Sequence, residues 1–271
     1  MLTKITLREI KNSLGRYLAI LIIVALGTGL FAGLKVTRDA MVTTLDEYLT
    51  DRSLYDYQLI STRGYEAADV ERLSSLDNIS AAEGSISYDV LCEAGEMEQV
   101  LKAYSITESV NKVKLLEGRM PESPDECVAD GRIYSTEDIG STIELSDDNS
   151  KDTLDVFAHR KYTITGLIYS PVYLNYERGS TTLGNGIIEA YFYILPEGFD
   201  TDIYTEIYLT LDKSGPIYSD EYEACTDDAK PAVTAAAEAA SQRRYDEIKK
   251  EADDKIKDAQ KEYDDGYSSY L

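Results

Sequence analysis

Residues Tyr17–Leu34 read YLAILIIVALGTGLFAGL, eighteen successive positions without a charge. As a helix rising ~1.5 Å per residue the run reaches about 27 Å, close to the ~30 Å hydrocarbon thickness of a bilayer. Four basic residues precede it (Lys4, Arg8, Lys11 and Arg16), and an acidic, tyrosine-rich region follows. A basic start and an acidic far side are the asymmetry of a membrane anchor whose N-terminus stays in the cytoplasm. The competing reading is a cleaved signal peptide, which has an apolar core of ~7–15 residues and a small-x-small cleavage site. This run is longer, sixteen residues stand before it, and Gly29–Gly33 offers only a marginal site. Retention in the cell membrane is the expectation, and in either case the acidic part lies outside the cytoplasm.

The charge divides sharply along the chain. The 271 residues carry a net −23. Residues 1–38 hold six Lys/Arg and one acid, a local +5, which leaves 21 basic and 49 acidic residues, or −28, for the remainder. Phosphate backbones repel such a polyanion, so nucleic acid is excluded as a partner. Cys92, Cys127 and Cys225 are far apart in sequence, and no CxxC or Cys/His spacing for zinc occurs. In an exported domain one disulfide is compatible, with Cys92–Cys127 the preferred pair; buried reduced thiols are the alternative.

Before the apolar run, residues 1–16 suit a short amphipathic basic helix lying on inner-leaflet lipid. Leu7, Ile10 and Leu14 fall on one stripe, with Lys4, Arg8 and Lys11 beside it. Within the run, Gly29 and Gly33 form a GxxxG pair, which lets a second membrane helix approach closely; glycine is also common in such helices without that role. The spacing predicts a membrane helix over 17–34 that continues to about residue 49.

A single α+β domain is expected over about 40–222. Strands are predicted at 55–61, 125–129, 142–145, 162–169, 190–195 and 203–211, a hairpin at 86–93 and 99–106, a helix at 66–76 and a helical turn at 136–139. The stretches YTITGLIY (162–169) and AYFYIL (190–195) carry the most β-branched and aromatic residues. From about 232 the composition turns to Ala, Glu, Lys, Asp and Gln, and helix is expected to residue 271. Ile248, Ala252, Ile256, Ala259, Tyr263, Tyr267 and Tyr270 recur at steps of 4, 4, 3, 4, 4 and 3. Eleven residues per three turns favour a nearly straight or slightly right-handed coiled coil, with Ile248, Ala252, Ile256, Ala259 and Tyr263 as its seam. A lone helix this polar is marginal in water, so the segment calls for a partner.

Motifs for chemistry are wanting. Gly is never followed by Lys, so there is no phosphate-binding P-loop, and ATP hydrolysis is not expected of this chain. The loop Arg178–Gly186 does not lead from a strand into a helix. Residues 147–152 (DDNSKD) place Lys at a calcium-ligand position and lack the turn glycine, so they read as a solvated acidic turn. His159 is the sole histidine and reads as a strand-edge surface residue. No catalytic, metal or cofactor site is expected.

Four stretches together resemble FtsX-like, MacB-type ABC-transporter permeases: KNSLGRYLAILIIVALGTGLFAGL at 11–34, LLEGRMPESPDECVAD at 115–130, YTITGLIYSP at 162–171, and the helical segment from about 232. In the second, Gly118, Arg119, Pro121 and Glu126 match the family's EGR-x-P…E-x-V pattern. The third is similar to a v-x-G-i strand before a variable loop, and the last to a coiled-coil stalk. The resemblance implies a MacB-like periplasmic core domain, a separate cytoplasmic ABC ATPase subunit, and a dimeric or pseudo-dimeric assembly with remaining permease helices or a second permease copy. It implies substrate export or mechanotransmission across the envelope. Family members have at least three further membrane helices after this domain, so the resemblance also implies the N-terminal portion of a longer or split permease. Within the motif, Gly118 is expected in a turn, Pro121 in an extended connection, and Arg119 paired with a carboxylate such as Glu126. The alternatives are a single-pass anchored binding or scaffold protein with coiled-coil dimerisation, and a secreted enzyme, which lacks a catalytic constellation.

Overall fold

The computed structural model describes residues 13–94, 97–212 and 215–270. The amphipathic segment expected over 1–16 falls almost wholly outside them, with Lys4, Arg8 and Lys11. The chain divides into two compact units between Tyr48 and Leu49.

The apolar run lies in helix α1 (Leu14–Asp51), the one helix among the described residues long and apolar enough to cross a membrane. Its most apolar eighteen-residue window has a mean hydropathy of 2.3, and none of that window is buried. Hydroxyls at Thr28 and Thr37 donate back to the carbonyls of Val24 and Gly33, both at 2.8 Å. Each thereby finds a partner within its own helix, which a lipid surround would not offer.

The second unit is mixed α and β, built on two sheets. The smaller is antiparallel, in the order β1 (Tyr57–Tyr65), β10 (Tyr204–Leu211), β2 (Ile79–Ser85). Helix α2 (Ala67–Ser74) connects β1 to β2. The larger sheet runs β3 (Ser87–Ala94), β4 (Met97–Ser105), β9 (Ala190–Ile194), β6 (Glu126–Asp130), β8 (Lys161–Tyr169), β5 (Lys114–Gly118), and β7 (Thr142–Glu144) also pairs with β8. Its pairs β4–β9 and β6–β8 are parallel and the others antiparallel. Every residue of β9 is buried, which explains why AYFYI reads as a continuous apolar run instead of an alternation.

The larger sheet buries a side chain layer on each face. One holds Val90, Leu101, Cys127, Tyr162, Ile164 and Phe192; the other holds Tyr104, Val128, Ile168, Tyr191 and Tyr193. Cys92 and Cys127 are fully buried free thiols in the first layer, so the preferred disulfide is not formed, and burial pushes both thiols well up from the ordinary range. Residues 147–152 form a turn and the short helix α3 (Lys151–Leu154), capped by Ser150. Asn149 is buried there, accepting from the Leu91 N–H at 2.9 Å and donating to its carbonyl at 2.7 Å.

The last helix, α4 (Asp220–Tyr270), begins twelve residues before the expected start near 232 and carries Pro231 in its interior. Its first turn contains Asp220, Glu221 and Glu223, which complement the positive end of the helix dipole. Tyr222 donates to Asp56 at 2.8 Å and Tyr57 donates to the Thr226 carbonyl at 2.5 Å, so β1 holds the segment ahead of the proline in place.

Candidate functional site

Three places collect the residues singled out by sequence. The first is α1. Arg16, Gly29 and Gly33 are exposed on it, and a Cβ added at either glycine would meet nothing within 4 Å beyond the helix itself. A packing face is available there, with no partner on it among the described residues.

The second is a corner where the two strongest motif stretches meet. Gly118 at the end of β5 pairs with Gly166 in β8. Gly118 has φ +76°, and a Cβ on it would lie 2.3 Å from the Thr165 carbonyl oxygen. A Cβ on Gly166 would lie 2.5 Å from the Arg119 carbonyl oxygen. The facing glycines let the backbones close, so that the Arg119 N–H reaches the Thr165 carbonyl at 3.0 Å and the Thr165 hydroxyl reaches the Arg119 carbonyl at 3.2 Å. With Arg119 so placed, its guanidinium makes a fork onto Glu126, at 2.7 and 2.5 Å, the pairing suggested by the sequence. Pro121 is buried in the intervening turn. The Arg119 hydrogen bonds and the Glu122 N–H hold the Glu126 carboxyl down at about 2, well below its ordinary range. These contacts join β5, β6 and β8; they are a structural clasp.

The third place is α4, whose two halves differ. Ala229 is buried, and one turn later Val233, Ala236 and Ala240 pack on Tyr65 and Leu73 and on Ile207 and Leu209 of β10. One turn further, Arg243 donates to Asp69 at 2.8 Å, and Arg244 donates to Glu66 at 3.1 Å, while Arg63 stacks over the Tyr245 ring at 4.9 Å. Asp69 is buried, which disfavours its charge. Hydrogen bonds from Arg243 and the Glu66 N–H, with the charges of Arg243 and Arg72, outweigh that and hold its carboxyl below the usual range. Beyond Tyr245 every described side chain is exposed, including the seam residues Ile248, Ala252, Ile256, Ala259 and Tyr263. Continued backwards at the same steps, the seam would pass through Tyr245, Ser241 and Ala237, beside the docked stripe at 229, 233, 236 and 240. Among the described residues nothing covers the seam beyond Tyr245.

Sequence reasoning also missed how residues 49–55, at the start of the second unit, are held within it. Leu49 is buried, and the carbonyls of Arg52 and Ser53 accept from the N–H groups of Lys112 and Asn111 at 2.8 and 2.9 Å. Asn111 in turn accepts from the Tyr55 N–H at 3.0 Å. The same loop is tied to β2 by Glu83, whose carboxylate accepts from the N–H groups of Glu108, Ser109 and Val110 at 2.7–2.9 Å. Deeper in the domain, Arg178 and Asp130 form a fully buried pair at 2.5 Å. The only sequence signal for these was polar residues in stretches without a strong period. Among the described residues no arrangement of nucleophile, base and oxyanion donors accompanies them.

No protein-family model matches the sequence, and no curated protein matches it. Several solved structures are similar in fold. The extracellular domain of the noncanonic ABC-type transporter YknZ from Gram-positive bacteria is 10% identical, over 58% of this chain and 85% of that one, with a TM-score of 0.38. The periplasmic region of MacB from Actinobacillus actinomycetemcomitans is 11% identical, over 65% and 83%, with a TM-score of 0.36. A domain of a protein described as a permease from Porphyromonas gingivalis is also 11% identical, over 68% and 72%, with a TM-score of 0.36.

Proposed function

We propose that this chain is the membrane-anchored, extracytoplasmic part of an ABC-transporter permease. In this reading α1 crosses the membrane with the N-terminus in the cytoplasm, and the α+β unit stands outside. A separate cytoplasmic ATPase supplies the energy, and the chain is not itself an enzyme. The observation that carries the reading is the end of α1. An exposed, strongly apolar helix runs without a break to Asp51; its residue Leu49 is buried within the second unit, and the two residues after the helix, Arg52 and Ser53, accept backbone hydrogen bonds from Lys112 and Asn111. In this reading, movement reaching residues 49–53 passes within the second unit to the 107–112 loop, through Glu83 to β2, and through β10 to the docked half of α4. The clasp of Gly118, Gly166, Arg119 and Glu126 ties β5, β6 and β8 of the larger sheet together. The exposed seam of α4 is left for a returning helix or a second copy. Export of a substrate and transmission of force to an envelope partner are both served by such a path.

Co-purification tests the reading. The full chain, extracted in detergent with the remaining permease helices supplied, is expected to bring down an ATP-binding subunit. Recovery of extracytoplasmic proteins alone would favour the anchored scaffold and reject the coupling. Protease added to whole cells should cut the head and spare residues 1–16; protection of the head would overturn the orientation.

A further inference from the structure

A cation beside the larger sheet has no anion partner among the described residues, although the chain carries 50 acidic residues. Arg132, just beyond β6, is only partly exposed and lies between two tyrosines, its guanidinium carbon 5.3 Å from the Tyr169 ring centre and 5.0 Å from that of Tyr176. Its side chain has one hydrogen bond among the described residues, a long one of 3.4 Å to the Leu174 carbonyl. The nearest acid in sequence, Asp130, is committed to the buried Arg178. Lys114 of β5 sits across from Tyr169 in register and adds a second exposed cation. Around them Ile133, Leu174 and Tyr176 are 52%, 51% and 75% exposed.

We propose that this face is a docking surface for an acidic segment of a partner protein, with a carboxylate seated on Arg132 and an apolar neighbour against Leu174 and Tyr176. Two tyrosine rings lie against the guanidinium, and its single long hydrogen bond leaves most of its donors open, which suits recognition of a carboxylate. Arginine and tyrosine beside exposed aliphatics is also the composition of interface hot spots. An anionic lipid surface fits less well. Lipid recognition by charge uses clusters of four to eight flexible cations, whereas this face carries two, one of them held by aromatic rings. The surface does not depend on an ATPase, so its failure would leave the coupling reading standing.

Fluorescence anisotropy with the full chain in detergent tests it. The probe is a labelled peptide, Gly-Glu-Leu-Glu-Tyr-Glu-Gly, with the Lys-for-Glu peptide as its control. The acidic peptide is expected to bind and the basic one not to bind. Arg132→Gln should weaken binding at least tenfold, Arg132→Lys about fivefold through loss of the planar fork, and Lys261→Gln less than twofold. Should Arg132→Gln lower the melting temperature, Tyr176→Ala and Leu174→Ser, both at exposed positions, should still weaken binding about fivefold. Absence of binding, binding by Arg132→Gln and Tyr176→Ala as tight as that of the unchanged chain, or Arg132-dependent binding to phosphatidylglycerol vesicles without peptide binding would each overturn the proposal.

Discussion

The two halves of α4 share one helix and a similar alanine- and charge-rich composition, yet only the first half is docked. Between Ala229 and Ala240 small apolar residues recur at 4, 3 and 4, and the stripe meets the apolar faces of α2, β1 and β10. After Tyr245 the apolar positions recur at 4, 4, 3, 4, and nothing in the described chain covers them. Small residues suffice in the first half because a helix face of alanines lies close to a sheet. Larger residues in the second half project outward, as a face awaiting another helix would. Helical periodicity therefore locates a stripe without saying whether its partner is inside the chain or outside it.

The sharpest way to break this contrast is a charge placed in each half. Val233→Asp buries a carboxylate at a position that is 2% exposed, next to apolar side chains. The expected loss is about 3–5 kcal/mol, or failure to fold, read by thermal unfolding of the detergent-solubilised chain. Ile256→Asp, at a position 67% exposed, should change the stability of the monomeric chain by no more than about 0.5 kcal/mol. A large loss at Ile256 would mean that the distal half already has a partner.

A smaller effect separates the ion pairs. Asp69→Asn removes the negative charge shared by Arg72 and Arg243, together with one of the two acceptor oxygens, and should cost about 2 kcal/mol. Lys257→Gln breaks only the exposed Lys257–Asp254 pair at 3.6 Å and should cost less than about 0.5 kcal/mol. Asp69 also predicts a pH dependence. Its carboxyl is held below the ordinary Asp value of about 3.9, so its contribution is complete above that value and fades as pH falls through the lower folded value. Hydrogen exchange at residues 229–245 should therefore quicken below about pH 4 in the native chain. In Asp69→Asn this acid step should be absent, and its persistence would assign the step to another carboxylate.

What the sequence made legible follows the strength of each segment's local preference. The apolar run declared α1, and β-branched and aromatic residues declared β8 and β9. Strand β2 (ISAAEGS) went unread because alanine, glycine and serine have little strand preference. Its small residues are needed by a neighbour, since a Cβ on Gly84 would come within 2.5 Å of the Tyr204 ring. The start of α4 was placed too late because Pro231 reads as a helix boundary, whereas tyrosine hydrogen bonds to Asp56 and Thr226 hold the residues before it. At the clasp, Arg119 and Glu126 were legible as a pair seven residues apart. The opposed Gly166 was not, because only strand register reveals which glycine faces Gly118. Arg243 and Arg244 carry no local signal in the sequence, because their role depends on α2 and its N-cap Glu66 lying beside them.

The smallest expected effect concerns the distal half alone. A peptide of residues 245–270 has few strong apolar residues and no docking surface, and isolated helices of this length are marginal in water. Circular dichroism at micromolar concentration should show little helix. If the exposed seam is built for another helix, helicity should rise with concentration, and Ala252→Leu with Ala259→Leu should shift that rise to lower concentration by enlarging the apolar stripe. The same pair of substitutions placed at Ala236 and Ala240 should instead destabilise the full chain, because extra methylenes in a packed contact force the helix off the sheet. A distal peptide that is fully helical at every concentration would remove the need for a partner and reduce the contrast between the halves to an accident of length.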